Sequence, residues 1–148
     1  MSRGRAWITR HIPHQDGMCL LDEVMAWDGE TITCATRTHL DPANPLRARG
    51  LLPAVSGIEY AAQSMALHGA LLAGHATAPG YLASVRDVRL HVDRLDDLPG
   101  ALRVRSRRLS GDEVTILYQF DLDAQEQALL SGRAAVVLDV GRLRNRVI

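Results

Sequence analysis

Hydrophobic and polar residues alternate through most of this chain, and one segment breaks the pattern. CLLDEVMAW (residues 19–27) and ETITCATRT (30–38) are alternating runs of strand length. Asp28-Gly29 separates them, a dipeptide suited to the tight turn of a β-hairpin. ALRVRSRRL (101–109) and EVTILYQFDL (113–122) flank Ser110-Gly111-Asp112 in the same manner. Two more strands are predicted, one over about 81–92 and one over about 128–140. The count is five or six strands, with hairpin turns joining those of the second half.

The exception is PAVSGIEYAAQSMALHGALLAG, from Pro53 to Gly74. Proline at the first helical position and glycine past the last are the usual punctuation of a helix, and Ala, Leu and Met fill the interior. It is apolar nearly all round, which describes a helix buried on most faces. Its small residues Gly57, Ala61, Ala62 and Gly69 would let a sheet approach closely. One antiparallel sheet curled around one central helix satisfies every apolar face, so the expected class is α+β.

Length and composition narrow the picture without changing it. At 148 residues, one domain spanning 1–148 is expected. Lys plus Arg and Asp plus Glu each number 17, so the formal net charge is zero. That balance argues against a coat for nucleic acid or anionic membrane. Every basic residue is arginine, and without lysine there is no Schiff-base or P-loop chemistry. No run is long enough to span a bilayer and the first residues lack a leader's apolar stretch, so a cytoplasmic location is expected. Cys19 and Cys34 lie in apolar strands without metal-type spacing and read as buried thiols.

The candidate chemistry centres on the helix. Glu59 is its only carboxylate, and burying a carboxylate demands a partner or a raised pKa. Either it points outward or pairs with an arginine, or it is tuned for acid–base work in an apolar pocket. Gln63, one turn on, shares its face and is placed to orient it. The loop before the helix, residues 39–53, leads to a helix start whose unpaired N–H groups at Ala54 and Val55 suit a developing oxyanion. Among the histidines, His14 lies in the turn before the first strand and His39 opens the loop before the helix. His68 faces another part of the helix, His91 reads as a surface residue, and His11 and His75 carry no local argument. None has metal-binding spacing, and no metal is expected. Arg103, Arg105 and Arg107 share one strand face, read either as a solvated face that discourages edge pairing or as a docking surface for an acidic partner. Arg142, Arg144 and Arg146 repeat that spacing in the tail.

Two stretches carry a family resemblance. IPHQDGMCLLDEV (12–24) resembles the N-terminal LPHR-x-P-x-LL-x-D-x-V stretch of the β-hydroxyacyl-acyl carrier protein dehydratases of the FabZ/FabA type. LLPAVSGIEYAAQSMA (51–66) is similar to their helix entry, and the GIEYxAQ pattern resembles the ApeP-like subgroup associated with aryl polyene and related pigment biosynthesis. The resemblance implies a hot-dog fold, dimers with a continuous sheet, and cofactor-free catalysis on an acyl thioester held by acyl carrier protein. It places the family's acid on Glu59 and the carbonyl-holding amide at Ala54. It also exposes a departure, because Pro45, within DPANPL, stands where the family's histidine stands.

The expected function is dehydration of a 3-hydroxyacyl thioester on acyl carrier protein to the trans-2-enoyl thioester. Glu59 would be the acid and His14 the base, with His39 as the alternative base; Ala54, Val55 and Gln63 would bind substrate. The alternatives are a hot-dog acyl thioesterase, in which Glu59 activates water, and a non-catalytic hot-dog subunit. The expected partners are acyl carrier protein and a second hot-dog subunit, in a homodimer or heterodimer.

Overall fold

The computed structural model describes residues 3–12, 18–74 and 80–138. After a two-residue strand β1 (Arg3–Gly4) and a short helix α1 (Arg5–His11) come β2 (Glu23–Trp27) and β3 (Thr31–Thr36). The helix α2 (Gly57–Ala73) follows, then β4 (Gly80–Leu90), β5 (Leu102–Gly111), β6 (Thr115–Ala124) and β7 (Gln127–Leu138). The strands form one sheet in the order β1-β2-β3-β5-β6-β7-β4, every neighbour antiparallel. The α+β class and the sheet around one helix are as the sequence pattern requires.

The turn residues act as their chemistry dictates. Asp28 Oδ1 accepts the N–H groups of Glu30 and Thr31 at 2.8 and 2.7 Å, closing the β2–β3 turn. Asp112 Oδ1 does the same for Val114 and Thr115 between β5 and β6. Between β6 and β7, Gln125 and Glu126 both take positive φ, as a two-residue hairpin turn demands.

Alternation directs one face of the sheet at α2. Leu102, Val104, Ile116, Phe120 and Leu122 are buried inward, while Arg103, Gln119 and Arg133 point out. A Cβ on Gly57 would meet Leu130 Cδ2 at 2.6 Å, so the helix start sits closer to β7 than any other residue allows. Gly74, at φ 78°, closes the helix in the left-handed conformation.

Three expectations need correction. The helix proper begins at Gly57; Ala54–Ser56 form a 3₁₀ turn that leads into it. β1 and α1 lie outside the alternating segments, and Ile8 and Trp7 of α1 pack against the core. Arg103, Arg105 and Arg107 do not guard an edge, because β5 is central, between β3 and β6. The edges are β1 and β4, and Tyr81, Leu82, Val88 and Leu90 are all exposed along β4. Among the described residues no helix is long and apolar enough to cross a membrane.

Candidate active site

The chain entering α2 is fastened to the loop that follows β4. Leu52 N–H donates to Asp96 Oδ1 at 2.7 Å, Leu95 N–H donates to the Leu52 carbonyl at 2.8 Å, and Ala54 N–H donates to the Asp93 carbonyl at 3.0 Å. Arg94 pairs with Asp96 and holds its carboxyl well below the usual carboxylate range. These bonds redistribute the donors of the helix start. The amide that the resemblance nominates, at Ala54, is engaged by Asp93. Ser56 N–H donates to the Pro53 carbonyl, and Gly57 N–H is bonded within the turn. The Val55 N–H is left without a backbone acceptor among the described residues, on a residue 51% exposed.

Glu59 stands in the first turn of α2, half-buried. The polar residues after it on the helix grip the chain that leads into β2. Gln63, fully buried, accepts the Leu20 N–H through Oε1 at 2.9 Å and donates from Nε2 to the Met18 carbonyl at 2.7 Å. Its amide thus serves the chain at Met18–Leu20. The Leu20 carbonyl accepts from Thr36 Oγ1 and Thr38 Oγ1 at 2.5 and 2.6 Å. With the Thr38 proton so directed, the Tyr60 hydroxyl donates to Thr38 Oγ1 at 2.9 Å and accepts from Asn44 Nδ2 at 2.9 Å. Burial pushes the Tyr60 hydroxyl's pKa up, so it stays a neutral donor. One network therefore ties Met18–Leu20, the 36–44 loop and the first two turns of α2 together.

The histidines separate by their partners. His14, the expected base, lies outside the described residues, as does His75. Its chain nonetheless emerges at Met18, in the grip of Gln63. His39 sits in a 3₁₀ turn (Thr38–Leu40), fully buried, with Nε2–H donating to the Leu98 carbonyl at 3.0 Å. Burial lowers its pKa and keeps it neutral. His68 donates from Nε2 to the Asp28 carbonyl at 2.8 Å, so Nδ1 accepts the Tyr118 hydroxyl, also at 2.8 Å. Burial lowers the His68 pKa and pushes Tyr118 up to about 12. His11 stacks on Trp7, and His91 is exposed. Pro45 is exposed in the loop before the helix.

The remaining candidates are structural. Cys19 and Cys34 are buried free thiols, and desolvation raises both, Cys34 to about 12. Arg47 donates to the His39 and Gly50 carbonyls, which pins the loop. The residues that pattern reading missed are Asn44 and Thr38. Their signal was the demand of Tyr60, a buried hydroxyl needing partners from elsewhere in the chain.

The comparisons with known proteins meet this geometry at the family level. The ApeP dehydratase family model matches residues 6–140. The chain belongs to the ApeP-like dehydratases. No curated protein matches its sequence at a significant level. Among solved structures, the dehydratase heterocomplex ApeI:P from Xenorhabdus doucetiae superposes with a TM-score of 0.78 at 21% identity, covering 93% of this chain and 97% of that one. A thioesterase from Haemophilus influenzae gives 0.57 at 14%, covering 78% and 76%. The PaaI protein of E. coli, from the phenylacetic acid degradation operon, gives 0.54 at 12%, covering 77% and 80%. At these identities the structural matches establish the hot-dog fold, and the family model establishes the ApeP-like dehydratase membership.

Proposed function

We propose that this ApeP-like chain dehydrates a 3-hydroxyacyl thioester presented by acyl carrier protein in the cytoplasm, giving the trans-2-enoyl thioester. The observation that carries the reading is the position of Glu59. It lies in the first turn of α2, just after the Val55 amide and one turn before Gln63, which grips the chain leading back to His14.

In this reading the neutral His14 imidazole removes the proton at C2 of the substrate. The Val55 N–H receives the negative charge that develops on the thioester oxygen. Protonated Glu59 gives its proton to the departing C3 hydroxyl, which leaves as water while the C2–C3 double bond forms. Passing the proton from His14 to Glu59 restores both groups. No cofactor is required by these steps.

The partner is a second hot-dog subunit seated along β4. That edge strand has a neighbour in the sheet on one side only and exposes Tyr81, Leu82, Val88 and Leu90, which an antiparallel strand of a partner would cover. The similarity to the ApeI:P dehydratase heterocomplex supports a partner that is itself a dehydratase subunit. Pro45, in the position of the family's histidine, favours a second reading: a hot-dog subunit that completes a partner's site without catalysing.

The test is Glu59→Gln, assayed on a carrier-bound 3-hydroxyacyl thioester with the hot-dog partner present. Dehydration falls roughly 10²- to 10⁴-fold with the fold intact if Glu59 is the acid. Undiminished turnover in the folded variant removes the acid assignment and favours the non-catalytic reading. Release of free acid and thiol by wild type would make it a thioesterase.

A further inference from the structure

The outward face of the sheet carries its charges unevenly. Strand register arranges the outward side chains in rows. Arg103 faces Asp123 in one row, and Arg105 faces Asp121 in the next, each pair 3.9 Å apart. Arg107 finds Glu30 at 4.0 Å. In that third row the sequence across the sheet is Arg107, Gln119, Arg133, Arg86. Arg133 and Arg86 are therefore direct cross-strand partners, both exposed. Among the described residues neither has a carboxylate within ion-pair distance, Asp87 in the neighbouring bulge included. Like charges set opposite each other weaken a sheet unless something lies between them.

The next row supplies a different chemistry. Ser84, Ala135 and Leu117 continue across the sheet, and Leu109 occupies the β5 bulge beyond them. Leu109 and Leu117 are 43% and 42% exposed. Arg86 and Arg133 of the one row and Ser84, Ala135 and Leu117 of the other, with Leu109 and the strand segments at Tyr118 and Ala134, line a cavity of about 310 Å³. That is within the range of small-ligand sites, and its lining is mainly apolar with a few convergent polar groups.

We propose that this cavity binds a small amphipathic anion, with a carboxylate or phosphate-monoester head between Arg86 and Arg133. Its short apolar body lies over Leu117, Ala135 and Leu109. Two guanidinium forks match the oxygens of such a head, and the bound charge relieves the repulsion between them. The charge-matched half of the same face, around Arg103 and Arg105, offers no such vacancy for an anion.

Calorimetric titration of the full chain tests this, using sodium octanoate, octyl phosphate and inorganic phosphate. Octanoate or octyl phosphate saturates one site, and the tighter of the two identifies the head group. Arg133→Gln weakens that binding about tenfold or more, as loss of a charged hydrogen-bonding partner does. Arg103→Gln, on the same face, leaves it unchanged. Arg86→Gln, on the edge strand, repeats the test should melting show Arg133→Gln unfolded. The proposal is overturned if neither amphiphile binds, or if the folded Arg86 and Arg133 variants titrate like wild type. Inorganic phosphate binding as tightly as octyl phosphate would also overturn it, since the apolar row would then contribute nothing.

Discussion

The side-chain oxygen of Gln63 accepts the backbone N–H of Leu20 at 2.9 Å, across 43 residues of sequence. The other half of the same amide holds the Met18 carbonyl. Gln63→Leu keeps the bulk but leaves a buried N–H and a carbonyl without partners, which costs about 3 kcal/mol. For a domain of this size the melting temperature falls by about 10 °C. Because Gln63 positions the chain carrying His14 and does not touch substrate in the proposed mechanism, kcat should fall with KM little changed. A variant that melts lower yet keeps its wild-type kcat would limit Gln63 to stability.

His14 and His39 are separable by two measurements on two variants. His39 is fully buried with its Nε2–H on the Leu98 carbonyl, so His39→Ala leaves a cavity and an unmet acceptor, costing about 2–4 kcal/mol. Dehydration per folded molecule should stay near wild type. His14→Ala should melt like wild type and lose dehydration roughly 10²-fold or more. The reverse pattern would transfer the base to His39.

The His68–Tyr118 pair makes stability depend on pH. Burial lowers the folded-state pKa of His68 below its ordinary 6.5. As pH falls through 6.5, the unfolded chain takes up a proton that the folded protein resists. Unfolding is therefore favoured progressively, until the folded pKa is passed. Stability is full above pH 6.5 and declines below it; His39, shifted the same way, adds to the slope. Melting curves between pH 7.5 and 5 should show a shallower decline for His68→Gln than for wild type. Identical slopes would assign the effect to other groups.

Gly57 sets how near the helix start lies to the sheet. In Gly57→Ala the new methyl meets the Leu130 side chain at 2.6–3.0 Å and Leu122 at 3.2 Å. Leu130 is fully buried and has little room to retreat, so the expected loss is about 1–3 kcal/mol. The shift would also displace Val55 and Glu59, so catalysis should suffer beyond what the lower melting temperature explains. Full activity at temperatures well below melting would show that the site tolerates the movement.

The fold was legible where local chemistry decides it. Period-two alternation and the Asp28 and Asp112 turns marked the hairpins, and the apolar run ending at Gly74 marked α2. What escaped depends on partners far along the chain. Ala54 looked like a free donor because the first turn of any helix has them; its acceptor, the Asp93 carbonyl, arrives only when the loop after β4 folds back. The arginines of β5 looked like edge guards because nothing in their alternation states which strands flank them. Glu59 was recognisable as the one carboxylate of an apolar helix, whereas the Thr38–Tyr60–Asn44 connection exists only in three dimensions.

An apolar helix has a problem of its own. Hydrophobic burial is non-directional, and α2 is oily on nearly every side, so burial alone barely distinguishes one rotation of the cylinder from another. The directional bonds do. Tyr60 to Thr38, Gln63 to Leu20, Ser106 to Ser64 and Tyr118 to His68 can be made together at a single angular setting. Turning the helix by one residue would break all four. These buried polar residues thus act as the teeth of a key, and the direction in which Glu59 faces is fixed by bonds in which it takes no part.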